Sequence, residues 1–366
     1  MKRKRIKAAV CAAVMAFTLF GSLCPVDHHF MRETSVTASA EAAIWDGTED
    51  TSWYYREHDV VVSENGERIA IFNIRTAEEL AGLAKLVRNG NSMKNTMINL
   101  VSDVTLNDTT NFDNWDEQPP ANNWTAIGAV PIEAPNVNVV MTIQPECRNT
   151  VFAGMFNGNG HTISGMYSLH HNYAGLFART SGIITNVIVK DSYIQCINTQ
   201  KVESGDTALW EACAGGITAI CDRGVISHCE FDGKIFASGL NQVGYGTHGS
   251  FAGGIVGKFS DDESGVAAVV MMFALVPAGF LINPALFLTA SGQQVITDPG
   301  IYSCINRGSI YTEHGTDENG AGGMIGAGGL YTVRNPDFAV FYCLNLGEVH
   351  ADHQNIGGMV GEGYKF

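Results

Sequence analysis

Charge is scarce in this chain, and positive charge is the scarcest. Lys and Arg number 22 against 37 Asp and Glu, which gives a net charge of −15, and only 16% of the residues are charged. An average soluble domain has about 25%. Nucleic-acid binding requires a basic surface that displaces counterions, so the acidic balance excludes a general nucleic-acid partner. Proline is also rare, at 10 residues, and the few charges argue against a disordered chain.

The sequence motifs of several enzyme classes are missing. The chain has no His-Glu-x-x-His zinc motif, no Gly-x-Ser-x-Gly nucleophile turn and no phosphate-binding Walker loop. His170 and His171 are adjacent, so on a strand they would face opposite sides and would not share a metal ion. We therefore predict no catalytic residue.

Cysteine pairs with metal-ligand spacing are absent as well. Seven cysteines follow residue 40, and none forms a Cys-x-x-Cys motif, so a structural zinc site is not predicted. An odd number also excludes a complete disulfide framework. We expect most of them to be buried thiols, with one candidate disulfide between Cys213 and either Cys221 or Cys229.

The first forty residues have the pattern of an export signal. Five of the first seven residues are basic, and an uncharged, mostly apolar run extends from Ala8 to Leu23. That run is short for a membrane span and typical of a signal peptide. Ala38-Ser39-Ala40 fits a cleavage site. Residues 1–40 are therefore predicted to be a signal peptide of an exported protein, extracellular or at the cell surface, with an uncleaved anchor as the alternative.

Residues 41–123 form the predicted N-terminal segment. Thr76 to Glu79 has the spacing of a helix capping box, and apolar residues follow at helical intervals, which predicts one amphipathic helix over about 77–89. Residues 107–123 are acidic and rich in Asn, and are predicted to be a surface loop. Alternating β-branched residues predict four short strands: Asp59–Val62, Ile69–Ile74, Thr96–Leu100 and Val104–Leu106.

Glycine is abundant, at 41 residues, and much of it marks a repeat in residues 124–366. Two phrases alternate. The first has Ala or Ile, then Gly, then Gly or Leu. The second has Cys and Gly four residues apart with Phe or Asn midway between them, and a short apolar alternation follows it. Such short strands with glycine turns predict a stacked β-solenoid, in which recurring Asn and Cys would form internal ladders. The first phrase begins at Ala174, Ala214, Ala252, Ala321 and Ile356, and the second contains Cys229, Cys304 and Cys343.

One interval between repeats is about thirty residues longer than its neighbours. The excess corresponds to an apolar insert over 265–298, in which Val266 to Leu288 carries no charge. This length alone would suffice for a membrane span, but Pro277 and Pro284 interrupt it and repeats continue on both sides. We predict an excursion packed on the flank of the solenoid. An exposed contact surface for a partner or lipid and a membrane span are the alternatives, and membrane contact is expected only if 266–288 is exposed.

Two groups of residues are candidates for ligand binding. Asp261, Asp262 and Glu263 are the densest carboxylates near the repeats, and are either a solvated loop or a weak calcium site. Calcium is the only cofactor that the sequence suggests. Trp115 and Trp124 are possible glycan contacts, since indole rings can stack on sugars. Their alternative roles are a loop anchor and a core residue.

The repeats resemble those of GLUG-repeat proteins. Residues 152–166, Phe-Ala-Gly-Met-Phe-Asn-Gly-Asn-Gly-His-Thr-Ile-Ser-Gly-Met, resemble the family signature, and Trp124 to Gly128 is similar to the segment that precedes it. Tyr173–Phe177 and the Gly-Gly phrases at 253–257, 322–326 and 357–361 resemble the repeat itself. Residues 44–47, 50–54 and 76–91 resemble the leading segment of such proteins. Thr218-Ala219 and the apolar insert depart from the pattern.

That resemblance implies an all-β, right-handed parallel β-helix similar to the pectin-lyase superfamily, in an exported, mostly bacterial, cell-surface setting. Such repeats accompany adhesin-like proteins and some immunoglobulin A-cleaving metalloproteases, where they are not the catalytic part. We therefore expect a non-enzymatic surface protein that binds host or matrix glycans or proteins. A carbohydrate-active enzyme and a stalk domain of a larger protein are the alternatives. Clustered charged side chains on one face would favour the enzyme, and aromatic residues there would favour adhesion.

Overall fold

The computed structural model describes residues 43–62, 66–129, 151–198, 211–239, 249–260, 299–313, 319–328, 339–352 and 355–363. All of them belong to one unit of the chain. The predicted signal peptide and apolar insert lie outside the described residues. Within the described ranges, no helix has the length and apolar character needed to cross a bilayer.

The N-terminal part contains the one α-helix of the described chain. Helix α1 begins at Ala77 after Thr76, whose Oγ1 accepts the backbone N–H of Glu79 at 3.2 Å. The predicted N-cap is therefore formed, but the Glu79 carboxylate accepts the N–H of Arg75 at 2.7 Å rather than that of Thr76. Its apolar side, with Leu80 and Leu83 fully buried, belongs to the main core. The strand predictions are confirmed to within one residue. The elements are β1 Asp59–Val62, β2 Arg68–Ile74, α1 Ala77–Arg88, β3 Thr96–Leu100 and β4 Val104–Thr105, with 3-10 turns at Ser52–Tyr55 and Phe112–Asn114.

The remainder is all-β and repeats the same order of strands. Five successive passes of the chain each contribute four or five strands. The first pass is β5 Met155–Asn157, β6 Thr162–Ser164, β7 Tyr167–His170, β8 Tyr173–Ala174 and β9 Phe177–Thr180. The second is β10 Ile183–Thr185, β11 Ile188–Ile197, β12 Ala212–Gly215 and β13 Thr218–Asp222. The third is β14 Val225–Ser227, β15 Glu230–Ser238, β16 Ser250–Gly253 and β17 Val256–Ser260. The fourth is β18 Gly300–Tyr302, β19 Ile305–Asn306, β20 Ser309–Glu313, β21 Gly320–Gly322 and β22 Ile325–Gly328. The fifth is β23 Ala339–Phe341, β24 Leu344–Asn345, β25 Val349–Ala351, β26 Ile356–Gly357 and β27 Val360–Gly363.

Strands of successive passes pair side by side in four sheets. Each pass visits the sheets in the same order, which we number 1 to 4. Every pairing between passes is parallel, and only β1 and β2 pair antiparallel among the described strands. Sheet 1 contains β1–β3, β5, β10, β14, β18 and β23, and sheet 2 contains β4, β6, β7, β11, β15, β19, β20, β24 and β25. Sheet 3 contains β8, β12, β16, β21 and β26, and sheet 4 contains β9, β13, β17, β22 and β27.

The register places equivalent residues of each pass above one another. In sheet 1, Ile184 pairs with Phe156 on one side and Ile226 on the other, and all three are fully buried. Because one pass cannot enclose its own apolar side chains, the core forms only where passes stack. Each fully buried Ile or Phe contributes about 1.5–3 kcal/mol.

The predicted internal ladders are confirmed. The amide of Asn306 donates to Oδ1 of Asn345 in the next pass at 2.8 Å, and Cys229, Cys304 and Cys343 occupy one column beside them. The predicted disulfide of Cys213 is wrong, because all six described cysteines are free thiols. Cys213 faces away from the main core and packs with Phe251, whereas Cys221 lies in the main core.

Candidate functional site

Neither tryptophan chosen for glycan contact is accessible. Trp115 and Trp124 are each 2% exposed. Trp115 packs edge-on against Tyr167, with ring centroids 6.2 Å apart. Trp124 contacts Trp45 in the main core and donates its indole N–H to a backbone carbonyl. An indole covered in this way has no room for a sugar, so Trp115 anchors its loop in a small cluster with Phe112, and Trp124 is a residue of the main core, as in the alternative that the sequence left open.

The other sequence candidates give no metal site in the described chain. Asp261, Asp262 and Glu263 lie outside the described residues. His170 is buried, and its Nδ1 accepts two backbone N–H groups at 3.1 Å. Nδ1 of His171 contacts the backbone carbonyl of Ile197 at 3.0 Å. Within the described ranges no three His, Cys, Asp or Glu side chains are grouped to hold a metal ion.

The outward side of sheet 2 carries an aromatic surface that the sequence analysis missed. In β15 the side chains alternate between the core and solvent, and Phe236 points outward. The parallel register places Phe236 opposite Tyr311 in β20, and Tyr311 opposite His350 in β25. A neighbouring column on the same side contains Tyr167, Tyr193 and Lys234; the two tyrosine rings are buried in one cluster with Trp115 and support the outer column rather than facing solvent. We call these six residues the aromatic face.

Rings in the outer column overlap only in part. The centroids of Phe236 and Tyr311 are 5.8 Å apart and their planes differ by 12°. Overlaid rings would be about 3.5–4.0 Å apart, so these rings are offset and each leaves part of its face uncovered. Tyr311 is 38% exposed. The ring of His350 follows at 6.2 Å, tilted by 41°, and its side chain is 55% exposed.

Polar groups surround these rings. The carboxylate of Glu313 accepts a hydrogen bond from the Tyr311 hydroxyl and raises the pKa of that hydroxyl. Burial raises the pKa of Tyr193, whose hydroxyl accepts a hydrogen bond from Gln195 at 2.6 Å. Lys234 donates to the backbone carbonyl of Asp113 at 3.0 Å and lies over the ring of Phe112. The tyrosines are therefore neutral near pH 7, so the face offers apolar rings beside hydrogen-bonding groups.

A regular spacing in the sequence marks this face. An aromatic ring follows each cysteine of the second phrase by seven residues: Phe236 after Cys229, Tyr311 after Cys304 and His350 after Cys343. Because the cysteines point inward, residues at an odd offset along an uninterrupted strand would point outward. This offset is the signal by which the sequence could have revealed the aromatic face.

A second group of polar side chains lies on the outward side of sheets 3 and 4. Arg179 forms an ion pair with Asp222, and Lys258 forms one with Glu211 at 2.5 Å. All four side chains are under a fifth exposed. Arg179 and Lys258 pair on opposite sides of Ile220 in the register. We call these four residues the charged cluster, and each of its cations already has a carboxylate partner.

Comparison with known proteins gives little guidance. No protein-family model and no curated protein matches the chain. One solved structure is similar, a "putative immunoglobulin A1 protease" from Bacteroides ovatus, with 16% sequence identity and a TM-score of 0.43. The match covers 81% of this chain but 62% of that one, less than two thirds of its length. A similarity this slight supports no inference about activity.

Proposed function

We propose that this chain is a non-enzymatic, exported surface protein that binds glycans through the aromatic face. The observation that carries the proposal is the offset column formed by Phe236, Tyr311 and His350, in which Phe236 is partly buried and the other two rings are exposed. The apolar face of a sugar ring can pack on such aromatic rings, which removes apolar area from water. Sugar hydroxyls can then bond to the Tyr311 hydroxyl and to the Glu313 carboxylate beside it.

The same proposal includes the finer architecture. The five parallel passes, their identical order and their glycine turns support a right-handed parallel β-helix built from GLUG-type repeats. A β-helix suits this role because it repeats one outward side chain at each pass, about 4.8 Å from the last. A periodic surface of this kind fits a polymer of repeating sugar units. The N-terminal signal pattern supports export to the surface where such polymers occur.

A glycan array and a depolymerisation assay on the purified chain test this proposal together. We expect saturable binding to one class of glycan, with no new reducing ends and no unsaturated products. Product formation would contradict a non-enzymatic role, and the absence of binding to any glycan on the array would contradict glycan recognition. Both assays are run with and without calcium, because the sequence leaves calcium open.

The charged cluster favours one alternative, a carbohydrate-active enzyme. Cleavage of a polysaccharide on a β-helix requires grouped acids and bases, and Glu211, Asp222, Arg179 and Lys258 provide both. We rank this function second because the four side chains are largely buried in ion pairs. If products do form, Lys258→Gln should abolish them. Tyr311→Ala should still give the same products as the unmodified chain. The stalk function remains a prediction from the sequence.

A further inference from the structure

Three thiols line up along the core in successive passes. Cys229, Cys304 and Cys343 directly precede β15, β19 and β24, whose residues pair in register. Each sulfur has the same two neighbours: the carbonyl two residues earlier, at 3.3–3.5 Å, and a carbonyl of the previous pass, at 3.5–3.8 Å. The repeated geometry shows that all three side chains adopt the same orientation. The register places Cys304 between Cys229 of the pass before and Cys343 of the pass after.

The last thiol of the column differs from the other two. Cys229 and Cys304 are buried, whereas Cys343 is only partly buried. Cys343 also precedes β24, which has two residues and pairs with a described strand only on the β19 side. Among these three thiols, Cys343 is therefore the one most accessible to a small molecule.

The column also makes Cys343 reactive. The hydrogen bond from Cys304 lowers the pKa of Cys343 to about 7, while burial raises the pKa of Cys304 well above its ordinary value. A thiolate, not a thiol, is the nucleophile in disulfide exchange. At neutral pH a large share of Cys343 is therefore in its reactive form, with a second thiol in contact.

We propose that Cys343 is an oxidative modification site, and that Cys304 converts the modified residue into a Cys304–Cys343 disulfide. The oxidant is a small-molecule disulfide. The Cys343 thiolate attacks one of its sulfurs, forming a mixed disulfide and expelling the first thiolate. Cys304 then loses its proton and attacks the Cys343 sulfur, which expels the second thiolate. The protein loses two electrons and two protons, and the small disulfide is reduced to two thiols.

Geometry selects this pair over Cys229 and Cys304. Neighbouring strands lie about 4.8 Å apart, within the 4.4–6.8 Å Cα separation of disulfides, but the Cβ atoms must also approach to about 3.8 Å. One strand must shift slightly to allow that. The strands β19 and β24 are each two residues long, whereas β15 spans nine residues, so the Cys304–Cys343 pair can adjust more easily than the Cys229–Cys304 pair.

Oxidised glutathione, peptide mapping and three variants of the full chain test this proposal. In the unmodified sequence we expect a peptide pair linked through Cys304 and Cys343. Cys304→Ala should stop at a glutathione adduct on Cys343, Cys343→Ser should form no link, and the control Cys229→Ser should still form it. Mapping separates these products from reactions of cysteines outside the described ranges. A melting curve for each variant identifies loss of folding.

The pH dependence of Cys343 labelling is a second readout, measured on the folded protein. A substitution at Cys304 that only lowered stability would not shift its midpoint. The rate of Cys343 labelling should rise with a midpoint near pH 7. Cys304→Ala removes the hydrogen-bond donor and should move the midpoint to higher pH, whereas Cys304→Ser retains a donor and should restore most of the shift. An unreactive Cys343 in the folded chain, or a stable Cys343 adduct with Cys304 intact, would overturn the proposal.

Discussion

At the scale of single residues, one corner of the fold imposes the same strained backbone on four different side chains. Asn186, His228, Ser303 and Tyr342 begin the turn between sheets 1 and 2 in their passes, and all have φ between 52° and 54°. Asn adopts this left-handed conformation readily, but for other side chains the conformation costs about 1–2 kcal/mol. Three of the four positions therefore carry strain that the stacked neighbours impose.

His228→Asn should therefore stabilise the protein by about 1 kcal/mol at pH 8. It should also remove a pH dependence. Burial lowers the pKa of His228 in the folded chain, while in the unfolded chain the pKa stays near 6.5. As the pH falls below about 6.5, the unfolded chain takes up a proton that the folded chain resists, so the free energy of unfolding decreases.

Urea denaturation at pH 8 and pH 5 checks this prediction. Ser303→Asn is the matched control: it relieves strain at the same corner but has no titrating group, so its gain should be equal at both pH values. An equal gain at both pH values for His228→Asn would show that histidine titration does not affect stability. No gain at either pH would show that the corner is not strained.

Single residues also show what a sequence can and cannot predict. The cysteine and asparagine ladders were predictable, because the repeat sets their register and inward residues must be small or apolar. The roles of Trp115 and Trp124 were not predictable, because an indole suits a buried core and a sugar-binding surface equally well. Their role depends on Tyr167 and Trp45, which lie far from them in sequence.

At the scale of elements, glycine controls how closely successive passes stack. A Cβ on Gly323 would lie 2.1 Å from the carbonyl oxygen of Gly358 in the next pass and 2.3 Å from the side chain of Asn345. The first is a backbone atom, and the Asn345 side chain accepts hydrogen bonds from the Asn306 amide and the Gly347 N–H, so neither can move away cheaply. Gly358 occupies the same place in the last described pass, where an added Cβ meets nothing within 4 Å.

We therefore expect Gly323→Ala to destabilise the protein by about 1–3 kcal/mol, the usual cost of overpacking. Gly358→Ala is the matched control and should change the free energy of unfolding by about 0.5 kcal/mol or less. Equilibrium urea denaturation gives both values. Equal effects of the two substitutions would contradict the close stacking of passes at this position.

Element boundaries followed from the sequence where local signals were strong. The capping box fixed the start of α1, and alternating β-branched residues located β1 and β3. The long strand β15 was harder, because Gly233, which predicts a turn, is followed by further pairing. In β11 the register shifts between Lys190 and Ser192, and this irregularity lets the strand continue into the aromatic face.

At the scale of the whole molecule, stacking creates a surface that no segment has alone. Phe236, Tyr311 and His350 come from three different passes, and become neighbours only through parallel pairing in sheet 2. The charged cluster likewise combines residues from sheets 3 and 4. The sequence predicted the parallel stacking. To predict which outward side chains become neighbours, the register between strands must also be known, and glycine turns and strand irregularities together determine it.

Titration of the purified chain with its strongest array glycan tests the central claim, that the rings of the aromatic face bind sugar. Tyr311→Ala should weaken binding by about tenfold, which corresponds to about 1.4 kcal/mol, because it removes the most central exposed ring. Tyr311→Phe retains the ring and should lose less than Tyr311→Ala. The control Tyr55→Ala removes a 76% exposed tyrosine outside the aromatic face and should have no effect. Unchanged affinity in folded Tyr311→Ala, or an equal loss in Tyr55→Ala, would contradict the account.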